Sequence, residues 1–236
     1  MKMNRSLAVV AGFTAALQIA TAGNLTGKVT LSGNPPAEKE ITPLKEDATC
    51  GKLTTGTPMT KFFVVSPDKG LADVVVIVKG LEGKSTGAAA APAVLDQKGC
   101  EYTPSILAVQ TGQKIDVKNS DPVMHNVHSV PTVSGNPEEN KAQMAGSADL
   151  VFSMPKAENF AKFKCDVHPW MFAWVTVVDH PYFAVTGKDG AFTIKDVPPG
   201  KYKVVALHRK GAPAGVEKEI EVTADGAKAD FTIEVK

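Results

Sequence analysis

The feature that most constrains this chain is its punctuation. Short apolar or β-branched runs follow one another at intervals of about 8–12 residues, the spacing of strands in an antiparallel sandwich. The 236-residue sequence sets 20 Gly and 16 Pro among them. From Ala93 onward the runs are AVLDQ, SILAVQ, KIDVKN, DPVMHNVHSV, ADLVFSM, FAKFKC and FAWVTVV. Helix-rich segments are hard to find between these breaks. The expected fold class is all-β, and the length allows one to two domains.

Elsewhere the pattern is less regular. Residues 24–34 alternate like a strand running into a Gly-Asn turn, and the polar, Pro-rich residues 35–60 read as loop around one short element. Asp73–Lys79 (DVVVIVK) has the length and β-branched content of a buried strand. Residues 83–92 read as a surface linker, because Gly87 and Pro92 leave the tetra-alanine no room for a helix. In the polar stretch 134–148, Pro137-Glu138-Glu139 has the composition of a short helix start. The tail reads as two strands around Asp189-Gly190, a turn at Pro198-Pro199-Gly200, a third strand, and then EKEIEVT and ADFTIEV.

Residues 1–22 stand apart. Lys2 and Arg5 precede an apolar run of about 14 residues and an Ala20-Thr21-Ala22 site, the layout of a cleaved signal peptide. The run is short for a bilayer span of ~20 residues. No membrane span is expected in the mature chain, which should be periplasmic or secreted. Losing Lys2 and Arg5 takes two basic residues from the 26 and leaves the remainder one short of the 25 acidic ones. A near-neutral chain excludes nucleic acid as the main partner, since phosphate binding needs a basic face. Export also puts Cys50, Cys100 and Cys165 in an oxidising compartment, where an odd thiol needs an explanation.

The chemistry concentrates in Cys165-Asp-Val-His168-Pro-Trp-Met171, with His125 about 40 residues upstream. Thiolate, two imidazoles and a thioether form a soft donor set. A His₂Cys site with a weak axial Met is the electron-transfer copper arrangement. Structural zinc sites are built from Cys and His, without Met. His128, three residues from His125, falls on the opposite face of a strand, and His180 and His208 are expected at surface or turn positions. Trp174 is expected in the sandwich core. No Ser-His-Asp order, carboxylate pair or phosphate loop appears, so the chain is not expected to be an enzyme.

These motifs carry a resemblance. Residues 93–178 resemble the cupredoxins, and within them the amicyanin/plastocyanin type: Asn119-Ser-Asp-Pro-Val-Met-His125-Asn126 is similar to their first-ligand loop, and Cys165-x₂-His168-x₂-Met171 to their C-terminal loop. The resemblance implies a Greek-key β-sandwich holding one type 1 copper ion through His125, Cys165, His168 and Met171. Asn126 would tie the two loops together, with Asp166 and Val167 tuning the site. It implies a carrier of single electrons with a redox partner docking on an apolar patch near His168 and Trp170. The alternative is a periplasmic copper-binding or copper-delivery protein. With Cys165 on the metal, Cys50 and Cys100 remain to form a disulfide.

The tail has a second resemblance. Thr186-Gly-Lys-Asp189-Gly190-Ala-Phe192 and Val197-Pro-Pro-Gly200-Lys-Tyr202 are similar to the carboxypeptidase regulatory-like (transthyretin-type) β-sandwich. The expected organisation is a signal peptide (1–22), an N-terminal β segment (23–92), a cupredoxin domain (93–178) and a smaller Ig/transthyretin-like sandwich (179–236). Residues 24–80 could supply the first part of that last sandwich, or the domains could stand in series.

Overall fold

The computed structural model describes residues 21–235, so the signal-peptide expectation lies almost wholly outside the described residues. The chain is almost all-β. Its elements are β1 (Gly23–Gly33), α1 (Thr42–Glu46), α2 (Cys50–Leu53), β2 (Val75–Val78), β3 (Ala93–Gln97), β4 (Tyr102–Thr103), β5 (Ile106–Gln110), β6 (Lys114–Asn119) and β7 (His125–Val130). Then follow β8 (Glu139–Gln143), β9 (Leu150–Ser153), β10 (Glu158–Lys164), β11 (Phe172–Val178), β12 (Phe183–Val185), β13 (Ala191–Val197), β14 (Gly200–His208), β15 (Ala212–Val222), β16 (Ala227–Lys228) and β17 (Phe231–Val235). The tetra-alanine contributes to one 3₁₀ turn, Gly87–Ala89. Among the described residues no helix is long and apolar enough to cross a membrane.

The strands make two sandwiches. In one, the sheet β5-β11-β10-β7-β8 faces the sheet β4-β3-β6-β9 across a core that includes Leu95, Val117, Val127, Phe152, Phe163 and Val175. In the other, β1 lies between β13 on one side and β16 and β17 on the other. The facing sheet is β12-β2-β14-β15, and Leu25, Val76, Ile194, Val204 and Phe231 fill the core between them. β1 and β2 precede Ala93, yet all their strand partners follow Val178: Leu25 is opposite Ile194, Val29 opposite Phe231, and Ile77 opposite both Phe183 and Val205. The Asp189-Gly190 turn seals this closure. Gly190 has φ +79°, its carbonyl accepts the Val29 N–H at 2.8 Å, and a Cβ there would stand 2.3 Å from the Val29 oxygen.

The β-branched run in β2 has a physical cause. Val74, Val76 and Val78 face the core of their own sandwich, while Val75 and Ile77 face the neighbouring one. There they meet Val205 and Leu207 of β14, Ile106 of β5 and Val178 of β11. A strand covered on both faces cannot alternate with polar residues.

Four expectations need correction. Residues 137–139 open no helix; Glu139–Gln143 is strand β8, because its backbone pairs with β7 and the Ser129 hydroxyl accepts the Glu139 N–H at 3.0 Å. His180 and His208 are buried rather than at the surface. Each Nδ1 accepts a nearby backbone N–H, from Tyr182 at 3.1 Å and from Gly211 at 2.9 Å, which makes burial tolerable. Trp174 is not in the core of its sandwich. In β11 its neighbours Ala173 and Val175 face inward, so its indole points the other way, into the seam between the sandwiches under Arg209.

Candidate metal centre

The site is built at one end of the sandwich, where β7 begins and the β10–β11 connection folds over. Cys165 follows the last residue of β10, and the loop to β11 returns within six residues. Met171 donates its N–H to the His168 carbonyl at 2.8 Å, and the Cys165 N–H reaches the Met171 carbonyl at 3.1 Å. That closed turn brings Cys165, His168 and Met171 to one place. Their neighbour across the sheet is β7, in antiparallel register with β10, which brings in His125.

The donor atoms converge. His125 Nδ1 lies 2.9 Å from His168 Nδ1, and His168 Nδ1 lies 3.6 Å from Cys165 Sγ. Atoms that each bond a metal at about 2.0–2.3 Å must lie within about 4.5 Å of each other, so these separations fit a single ion. His125 is fully buried and Cys165 and Met171 are 1% exposed, whereas His168 keeps 9% of its surface in contact with solvent. The described residues therefore offer two imidazole nitrogens and a thiol within reach of one ion, and the buried Met171 in the same core cluster as Cys165 adds a thioether to a set that suits copper.

Two of the donors, His125 and Cys165, are held from behind. Asp121 accepts from the far ring nitrogen of His125 (Nε2, 2.9 Å), and it also accepts the Gly99 and Cys100 N–H groups at 2.6 and 2.8 Å. The bond leaves Nδ1 facing the cluster, the arrangement in which a carboxylate orients a metal-binding imidazole. Asn126 joins the two loops. Its Oδ1 takes the Asp166 N–H at 2.7 Å and lies 3.3 Å from both the Val167 nitrogen and Cys165 Sγ, while its own N–H donates to Sγ at 3.5 Å. Its Nδ2 donates to Asn140 at 2.7 Å and to Asp166 at 3.2 Å. His128 points away from the cluster, with Nδ1 2.8 Å from an Asp166 carboxylate oxygen and Nε2 2.9 Å from one of Glu138.

At two of the three donors, Cys165 and His168, electrostatics favours the deprotonated form that a metal needs. Burial pushes the Cys165 thiol up, but hydrogen bonds from His125 and from backbone N–H groups outweigh it and bring the pKa below the ordinary thiol value. Burial, with the charge of His125 behind it, lowers His168. His125 moves the other way: burial opposes its charge, yet Asp121 and Cys165 hold it up at about 9.

Sequence reasoning missed Asp121 and the bracing role of the Cys100 turn. Asp121 stands in the Asn-Ser-Asp-Pro turn four residues before His125, and that nearness was the available signal. Cys50 and Cys100 form a disulfide with Cα atoms 5.6 Å apart. It lies behind the site: the Cys100 N–H bonds Asp121, and the Cys100 carbonyl accepts Trp170 Nε1 at 3.1 Å. The Trp170 ring in turn lies 5.3 Å from His168.

Similar solved structures include a mutant of amicyanin in its Cu(I) form, at 22% identity over 43% of this chain and 97% of that one, with a TM-score of 0.33. The novel purple cupredoxin from Nitrosopumilus maritimus is 22% identical over 36% of this chain and 98% of that one, with a TM-score of 0.30. A copper-containing nitrite reductase from Thermus scotoductus SA-01 is 18% identical over 37% of this chain and 22% of that one, with a TM-score of 0.32. The likeness is one of fold over part of the chain. No protein-family model and no curated protein matches the sequence. The presence of a copper enzyme among these structures corrects the expectation that this chain is not an enzyme. Missing triads and carboxylate pairs bear only on chemistry done by side chains, while a bound metal can itself be the catalytic group.

Proposed function

We propose that this chain is an exported mononuclear type 1 copper protein that carries single electrons. His125, Cys165 and His168 would hold the ion through Nδ1, Sγ and Nδ1, with the Met171 thioether as a further, weaker ligand. The observation that carries this reading is the convergence of those three donor atoms under the Asn126 tie. Bound copper supplies a one-electron couple. The chain's own part is to keep the donors where they are when the charge changes. Asp121 holds the His125 ring, Asn126 pins the Cys165 loop to β7, and burial excludes water. His168, the most exposed of the four, has Pro169 exposed after it and Val167, 49% exposed, before it, while Met124, next to His125 in the sequence, is 39% exposed. Such an apolar rim suits a small, transient contact with a redox partner.

We further propose residues 93–178 as the copper-bearing unit and residues 179–236, with β1 and β2 from residues 23–92, as its companion sandwich; α1 and α2 lie against the core of the copper-bearing unit. The strand partners of β1 and β2 support a companion split around the copper unit. The carboxypeptidase regulatory-like character of 179–236 rests on its sequence motifs, supported by the docked Asp189-Gly190 turn.

The test is to load the purified chain with Cu(II) and look for the intense visible thiolate-to-copper band. The band should appear at one ion per chain and vanish in Cys165→Ser. Absence of the band, or its survival in that variant, defeats the assignment. Rapid copper transfer to a chelator with sluggish electron exchange would replace the carrier role with copper delivery.

A further inference from the structure

A cavity of about 380 Å³ opens where the two sandwiches and the 39–62 segment meet. Its walls are largely apolar, and four aromatic rings contribute to them: Phe62 from the segment, Trp170 and Phe172 from the β10–β11 loop and strand, and Trp174 from β11. The size is that of a site for a compact organic molecule.

The polar groups around it are unevenly satisfied. The acids have partners: Glu101 is paired with Lys61 at 2.9 Å, Glu40 with Lys45 at 2.9 Å, and Asp73 accepts the Ser105 hydroxyl at 3.1 Å. Burial also raises the Asp73 pKa toward the neutral form, and burial drives the neighbouring His208 down to about 4, so it stays uncharged. The donors are the ones left over. The half-buried Arg209 guanidinium lies 4.4 Å above the Trp174 ring and 5.5 Å from that of Phe62, with no carboxylate partner among the described residues. Trp174 Nε1 is buried and has no acceptor among the described residues. A buried donor without an acceptor is costly, and a planar fork stacked on aromatic rings is a ready receptor for a carboxylate.

We propose that this cavity binds a planar aromatic carboxylate. Its ring lies among Phe62, Trp170, Phe172 and Trp174, and its carboxylate pairs with Arg209. The site depends on no metal, so it stands or falls separately from the copper reading.

The probe is 2-naphthoate, titrated into the full ¹⁵N-labelled chain without added metal. The two indole N–H signals are followed and assigned with Trp170→Phe. Both signals should move along one saturable curve. Arg209→Met should weaken binding about tenfold or more, since a charge-assisted pair is lost, with Arg209→Lys in between. The neutral 2-naphthalenemethanol should bind more weakly to the native chain and about equally to native and Arg209→Met. Failure to saturate, or equal affinity of native and Arg209→Met proteins for 2-naphthoate, overturns the proposal. An Arg209→Met chain whose untitrated spectrum matches the native one away from the cavity rules out misfolding as the cause.

Discussion

Removing the Asn126 side chain should loosen the candidate centre even without metal. In Asn126→Ala the Asp166 N–H loses an acceptor at 2.7 Å, Asn140 loses its donor at 2.7 Å, and the Asp166 carboxylate loses one at 3.2 Å. The Cys165 Sγ and Val167 N–H contacts at 3.3 Å also go. Each well-formed bond contributes about 1 kcal/mol net. Three of them give about 3 kcal/mol, somewhat less where water can reach the exposed Asp166. For a chain of this size about 1 kcal/mol moves Tm by roughly 2–4 °C, so the transition of the site-bearing sandwich should fall by about 6–12 °C. Differential scanning calorimetry on the metal-free chain reads this directly. Asn140→Ala, which takes away the Nδ2 acceptor together with its own 2.8 Å donation to the exposed Asp166 carboxylate, serves as the internal scale at about 1–2 kcal/mol. A Tm for Asn126→Ala within about 2 °C of native would refute the argument that this side chain locks the two loops.

Three further outcomes are expected. Replacing Cys50 and Cys100 together by Ala opens a loop of 50 residues, for which chain entropy gives about 4 kcal/mol; chemical denaturation should show it, and a loss under about 1 kcal/mol contradicts it. Burial holds His208 near 4, against an ordinary value of 6.5. Its stabilising contribution is complete above pH 6.5 and lost as pH falls from there to 4, an effect of up to about 3 kcal/mol. His208→Gln should therefore flatten the urea-midpoint profile between about pH 7 and 4, and an unchanged slope counts against the assignment. A fragment of residues 179–236 lacks β1 and β2 and should show no cooperative transition by circular dichroism; a sharp one would sink the split sandwich.

The donor set is legible in the sequence because it lies in two short stretches. The Cys165-to-Met171 loop closes on itself through local backbone bonds, so spacing along the chain already carries its geometry. The strands from Ala93 to Val178 are legible for a similar reason, since period-two alternation reports burial on one face. Glu139–Gln143 escapes such a reading because its conformation is set by pairing with β7, and not by Pro137. Asp121 escapes it because a carboxylate in a turn looks like turn chemistry until its donors, the His125 ring and two backbone N–H groups, are seen together in space.

What the sequence determined by itself was a β-rich chain with a soft metal-type donor set and one cysteine left out of pairing. Those properties reside in residue identity and short-range spacing. What only the tertiary structure decided was which strands meet. β1 and β2 find their strand partners beyond the site-bearing sandwich in the sequence, His180 and His208 go inside, and Trp174 turns toward the seam. Such choices come from covering both faces of β2 and β14, and no local pattern records what will lie against the second face.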